Sequence, residues 1–226
     1  MSDDSEKTLT VAERLDQLYG RRRWRSHGPP LDELVATILS QHTSDTNTAR
    51  AFASLKAAFA NWEAVRTAPV GAVANAIRSG GLADIKAPRI QNILGAVHAE
   101  REQMDLEHLR HMPLDDARQW LLRLHGVGPK TAACVLLFSL GKPALPVDTH
   151  VHRVARRVGL IGPNVTADAA HGELEAALGA DRERVYAFHM NAIAHGRLIC
   201  KARTPACDRC GLADICDYFN TRDASV

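Results

Sequence analysis

A lysine, an aspartate and four cysteines are the residues of this chain whose types and spacing could do chemistry. Lys130 directly follows Leu124-His125-Gly126-Val127-Gly128-Pro129. Two glycines in so short a joint can take positive φ and present bare backbone N–H groups, while Pro129 suits the first position of the next helix. Bare amides at a helix start form an anion site, and phosphate held that way is bound without any reading of base sequence; taken alone, the two glycines also fit an ordinary turn between helices. The same helix start is a poor place for an ammonium group. Its dipole and partial burial favour the free amine, the form in which lysine is a nucleophile. Asp148 lies 18 residues further on, in Val147-Asp148-Thr149-His150, as the cap of the helix that carries Val151, Val154 and Val158. A phosphate clamp, an amine nucleophile and a carboxylate are therefore within one short stretch of chain.

Four of the five cysteines fall within 17 residues, as Cys200, Cys207, Cys210 and Cys216, spaced C-x6-C-x2-C-x5-C with Pro205, Asp208 and Gly211 supplying turns. The first residues, MSDDSEKTLT, show no signal or transit pattern, and a cytoplasmic location is expected, whose reducing pool disfavours disulfides. The longest apolar run, Ala132 to Leu140, is nine residues, about half of the ~20 that cross a bilayer, so no membrane partner is expected. The cluster of thiols therefore points to a metal or iron–sulfur site. Four-thiolate zinc sites usually use two short knuckles, and only Cys207 and Cys210 form one here. The spacing favours a cubane iron–sulfur cluster, with structural zinc as the competing reading. Cys134, inside the apolar run, reads as a small buried hydrophobe.

The elements that must position these groups are helices. Leu31, Leu34, Val35, Ile38 and Leu39 fall in the i, i+3, i+4, i+7, i+8 rhythm behind Pro29-Pro30, with Asp32-Glu33 in the first turn. Similar stripes run through Ala49 to Phe59, Val70 to Ile77 and Ile90 to Val97, and further helices are expected at 8–20, 114–124, 149–158, 167–178 and 182–199. Thr131 to Leu140 is apolar nearly all round, which predicts a helix buried on every side and central to the fold. Alternation of the strand kind is nearly absent, so the chain reads as all-α. At 226 residues, 46% hydrophobic and 24% charged, it can bury a large core, and global disorder is excluded. The formal charge is only +2; 22 of the 28 basic residues are Arg, the better fork for phosphate oxygens.

The segments Leu124-His125-Gly126-Val127-Gly128-Pro129-Lys130-Thr131-Ala132 and Val147-Asp148-Thr149-His150-Val151 resemble the helix-hairpin-helix DNA glycosylases, and the four-cysteine tail is similar to that of their endonuclease III branch. The resemblance runs from about Leu31 to Tyr218 and includes Ile38-Leu39-Ser40-Gln41, Gly81-Leu82-Ala83-Asp84-Ile85-Lys86-Ala87 and His195-Gly196-Arg197. It implies an all-α fold of two lobes: a six-helix barrel at 32–142 carrying the hairpin, and an iron–sulfur lobe made of 1–31 and 143–226, with the active site in the cleft between them. It further implies a [4Fe-4S] cluster on Cys200, Cys207, Cys210 and Cys216, and a bifunctional glycosylase and abasic-site lyase that removes oxidised pyrimidines. In that role Lys130 attacks C1′ of a flipped nucleotide and Asp148 assists, while Gly126, Val127 and Gly128 contact the DNA backbone. The partner is double-stranded DNA with damaged bases or abasic sites, met by a monomer, on the nucleoid if the cell is bacterial.

Two positions depart from the family pattern. The family often has Gln where this chain has His42, and Gln41 stands one residue early; either could fill the gap left by an extruded nucleotide, with Leu82 from a second loop as an apolar wedge or, alternatively, a core residue. Pro129 occupies a position where the family frequently has Arg, which removes one possible phosphate contact. A non-catalytic DNA-binding module and a structural zinc protein are the alternatives from other classes.

Overall fold

The computed structural model describes residues 3–223, and among the described residues it is built of α-helices and short 3₁₀ turns with no strand. In chain order the helices are α1 (Asp3–Tyr19), α2 (Pro30–Leu39), α3 (Asp45–Ala58), α4 (Trp62–Thr67), α5 (Val70–Ala76), α6 (Ala83–Arg101), α7 (Leu114–Leu122), α8 (Pro129–Cys134), α9 (Thr149–Val158), α10 (Ala167–Leu178), α11 (Arg182–Leu198) and α12 (Asp217–Asp223). They divide into two compact units. One is 26–140, holding α2 to α8; the other joins 1–25 to 141–226 and holds α1 with α9 to α12.

In the 26–140 unit, the apolar stripe of α2 places Leu34, Val35, Ile38 and Leu39 wholly out of solvent, against α3, α6 and α8. The chain enters α2 through Pro29 and Pro30, whose fixed φ pre-sets the first turn. Residues 26–31 belong to this unit because the His27 N–H donates to the Phe138 carbonyl at 2.9 Å and the two rings stack at 4.6 Å. The stretch from Thr131 to Leu140 is buried throughout, as its all-round apolarity predicts. It is not one regular helix, however. After α8 the chain makes a π turn over Val135–Ser139, with Leu140 N–H reaching back to Val135 O at 3.2 Å. Truncating one of the buried leucines here is worth about 2–5 kcal/mol.

In the other unit, α1 lies on α10 and α11, and α9 packs against α11 and α12. Its core includes Val11, Leu15, Val154, Leu174 and Phe188. Asn191 knots α1 to α11, donating to Asp16 Oδ1 at 2.9 Å and to Gly20 O at 3.1 Å. No helix among the described residues is long and apolar enough to cross a membrane.

Candidate functional site

The hairpin is a local structure. Leu124 and Val127 are buried under it, and Val127 N–H closes the turn on Leu124 O at 3.0 Å. Gly126 takes φ +89°, a conformation costly for any side chain, and a Cβ there would lie 2.7 Å from Cδ of Arg89. Gly128 is different: its φ of −96° is ordinary, and a Cβ would meet nothing within 4 Å. Its lack of a side chain therefore serves access rather than conformation, leaving the N-cap of α8 bare. Pro129 is the first residue of α8 and Lys130 the second, half-buried, with the fully buried Thr131 to Leu140 segment behind it. The sequence thus places one amine directly behind a glycine turn, in the first turn of α8.

Two loops of the same unit carry the other DNA-facing candidates. Gln41 and His42 lie between α2 and α3, where His42 is exposed with φ +56°. Leu82 precedes α6 with φ +52° and is 49% exposed, so it is not a core residue. It stands at the N-cap of α6, where Ser, Asp or Asn would normally satisfy a free amide and a leucine side chain satisfies none. Ile85, one turn on, is 55% exposed beside it. Arg89 ties the first loop to the hairpin. Its Nη1 donates to Gln41 Oε1 at 2.8 Å while its stem covers Gly126. Sequence reasoning missed Arg89 and Ile85; an isoleucine on the polar side of a helical stripe was the signal for the second, and the first had none.

Asp148 belongs to the other unit. It caps α9, its Oδ1 accepting from His150 N–H and Val151 N–H, both at 2.8 Å, and Oδ2 accepts no hydrogen bond among the described residues. The extended segment before it is pinned by three side chains. Leu145 N–H donates to Glu175 Oε1 at 2.7 Å, Val147 N–H to His171 Nε2 at 3.2 Å, and His189 Nδ1 meets Pro146 O at 2.8 Å. Burial holds the pKa of His171 below its ordinary value, which keeps Nε2 available as an acceptor.

The four cysteines Cys200, Cys207, Cys210 and Cys216 line one cavity together with His195, Ile199, Pro205 and Phe219. Burial pushes the Cys210 and Cys216 thiols up, and their thiol neighbours add to that. Four thiols spaced around a cavity suit a polynuclear cluster. His195 is 1% exposed, and burial pushes its pKa down to about 4; its Nδ1 meets Tyr19 Oη at 3.0 Å and its Nε2 lies 3.6 Å from Cys210 Sγ. Arg157 closes the loop from outside, donating to Cys200 Sγ at 3.5 Å, Lys201 O at 2.7 Å and Ala202 O at 2.8 Å. Cys134 is buried in α8 and belongs to the 26–140 unit.

Residues 35–179 match the HhH-GPD superfamily base excision DNA repair protein model, and residues 200–216 match the iron–sulfur binding domain of endonuclease III. A protein of Arabidopsis thaliana that carries a provisional DNA glycosylase name is 47% identical over 131 residues, which are 58% of this chain and 45% of that protein. The chain therefore spans less than half the length of this relative. Endonuclease III of Sulfolobus acidocaldarius is 31% identical over 188 residues, 82% of this chain and 81% of its own. Among solved structures, a trapped endonuclease III–DNA covalent intermediate matches with a TM-score of 0.78 and 27% identity, over 97% of this chain and 98% of that one.

Proposed function

Because this chain belongs to the HhH-GPD superfamily of base excision DNA repair proteins, in its endonuclease III branch, we propose that it is a bifunctional DNA glycosylase and abasic-site lyase acting on oxidised pyrimidines. The observation that carries this reading is the position of Lys130, the second residue of α8, directly behind the glycine turn. An endonuclease III trapped as a covalent DNA intermediate supports a covalent protein–DNA step in this fold.

In this mechanism the hairpin amides around Gly126, Val127 and Gly128 hold a backbone phosphate, and the nucleotide is extruded from the stack. Unprotonated Nζ of Lys130 attacks C1′, the C1′–N1 bond breaks, and the base leaves with the bonding electrons and takes up a proton. Opening of the C1′–O4′ bond leaves a Schiff base on Lys130. Loss of a C2′ proton then expels the 3′ phosphate by β-elimination. Asp148 takes the proton that frees the amine and stabilises positive charge developing on the sugar. Leu82, with Gln41 or His42, fills the space the nucleotide vacates. Cys200, Cys207, Cys210 and Cys216 hold a [4Fe-4S] cluster, which when bound supplies the cross-link that orders the tail. The enzyme works as a monomer on double-stranded DNA containing damaged bases or abasic sites, in the cytoplasm or on a bacterial nucleoid.

The test is a panel of duplexes carrying one ring-oxidised pyrimidine, one uracil, one abasic site or no lesion. Oxidised pyrimidines should be released and the strand cut at the abasic site. Base release without strand cutting would remove the lyase half of the proposal, and cutting at none of the lesions would remove the substrate class. In the same panel Asp148→Asn should slow base release about a hundredfold while leaving DNA affinity within a few-fold.

Because phosphates rather than base edges carry the affinity, binding to undamaged duplex should fall at least about tenfold between 50 and 200 mM salt, and to a similar degree for unrelated sequences. A flat salt response in a filter-binding or anisotropy titration would contradict the phosphate-held hairpin.

A further inference from the structure

Lys86 is a charged side chain in the core, 1% exposed, in the first turn of α6. Its Nζ donates to Leu39 O at 2.7 Å and to Gly80 O at 2.9 Å. Leu39 ends α2, and Gly80 ends the 3₁₀ turn Arg78–Gly80, so both acceptors are among the carbonyls that a helix end leaves unpaired and negative. No carboxylate pairs with Lys86 among the described residues, and burial together with Arg89 holds its pKa down. A methionine would fill the same space without the cost of desolvating an ammonium. Packing alone therefore does not account for a lysine here.

Each of the two carbonyls stands just before a candidate DNA-facing residue. His42 is three residues beyond Leu39 and Leu82 two beyond Gly80, both exposed and both at positive φ. A left-handed histidine and a left-handed leucine are strained, and such strain persists only where the surroundings over-determine the backbone. Gly80 is also packed tightly on α3, where a Cβ would be 3.0 Å from Ala51 Cβ, and it lies in ordinary contact range of Leu39 O, at 3.9 Å from the same Cβ.

We infer that Lys86 is a positioning residue that clamps the Gln41–His42 loop and the Leu82 loop to one another, so that both enter the duplex as one rigid probe. This rests on the proposal that these loops fill the gap left by an extruded nucleotide. Lys86 touches no reacting atom. Its effect is to settle the relative placement of two inserted side chains before DNA is met, so that their ordering is not a cost of each encounter.

Lys86→Met, which keeps the length and removes the donors, tests the clamp in two ways. Hydrogen exchange read by mass spectrometry should speed up in 39–43 and 79–83 together and stay unchanged in 124–130. Single-turnover release of a lesion from duplex DNA should fall by about ten- to a hundredfold, while cleavage of an abasic site in single-stranded DNA, where no stack is entered, stays within twofold. Added to Leu82→Ala, the change should cost less than it does alone, because the wedge it positions is gone. Equal losses on both substrates, or faster exchange in one loop or neither, would overturn the clamp. Should Lys86→Met be recovered unfolded, Lys86→Leu, which likewise removes the donors, carries the same measurements with the same expected outcomes. If the wild-type protein cuts no abasic DNA at all, the lyase half of the proposed function falls, and the exchange experiment still decides whether Lys86 couples the loops.

Discussion

Lys130→Gln is expected to abolish borohydride trapping of the protein on abasic DNA and to lower strand cleavage at abasic sites by at least about a thousandfold. The size reflects the role: a side chain that forms the covalent intermediate has no substitute, and removal of a nucleophile costs orders of magnitude more than loss of a positioning contact. The substitution is structurally mild. Lys130 is half-buried at the start of α8, glutamine is as good a helix former, and the buried residues begin at Thr131. The melting temperature should therefore stay near that of the wild type, and so should affinity for undamaged duplex, since the hairpin amides remain. Of the other five lysines, Lys86 is sealed in the core, so an amine at another position would have to be found if trapping persisted. Persistent trapping in Lys130→Gln would end the assignment.

How much of the fold and the site was legible in the sequence depended on the range of the interactions. The hairpin, the Pro129 helix start and the Asp148 cap are made by residues within a few positions of one another, so glycine, proline and capping chemistry identify them directly. The amphipathic helices were readable for the same reason, and α2 begins and ends within a residue of its stripe. α4 and α12 were not anticipated, because each offers only two large apolar residues, Trp62 and Val65 or Tyr218 and Phe219, too few to display a period of 3.6. The π turn after α8 was also invisible, since an all-apolar run reads the same whether its bonds reach back four residues or five.

The loop geometry was hidden more deeply. Lys86 and Arg89 sit one turn apart on α6, and their partners, Leu39 and Gln41, are 47 and 48 residues away. No local pattern marks a lysine as buried or an arginine as the tether of a glutamine. Leu82 shows the limit most clearly. In sequence it fits both a wedge and a core position after a glycine turn, and only the folded backbone, left-handed and 49% exposed at that residue, separates the two. The residues hardest to find from sequence are thus the ones that place the loops proposed to meet DNA rather than the ones assigned the chemistry.

Cys210→Ser should strip the protein of iron and acid-labile sulfide and leave the 200–216 segment open to proteolysis. The reason is insufficient packing. Across those 17 residues only Leu212 and Cys216 are buried, and the regular structure is two 3₁₀ turns, Cys207–Arg209 and Ala213–Ile215. Ordering that much backbone costs far more than two buried side chains return; Arg153 and Arg157 hold its first three residues, and the later ties include the largely exposed Arg14–Asp214 pair and Cys216 Sγ on Arg157 O, which are too weak to make up the difference. A cross-link at four thiols supplies what packing does not, and metal-coupled ordering of this kind is lost with the metal. Serine keeps the size of the side chain but is a poor ligand, so the change isolates ligation from packing. Purified wild-type protein should be yellow-brown and Cys210→Ser colourless, with new cleavage between residues 200 and 216 but none inside α2 to α8, whose core is separate. Cys134→Ser, at a cysteine buried in α8, should leave colour and tail protection unchanged. Equimolar zinc with neither iron nor sulfide in wild-type protein would overturn the cluster assignment, whereas a metal-free wild type with a protected tail would overturn the claim that this segment cannot order itself.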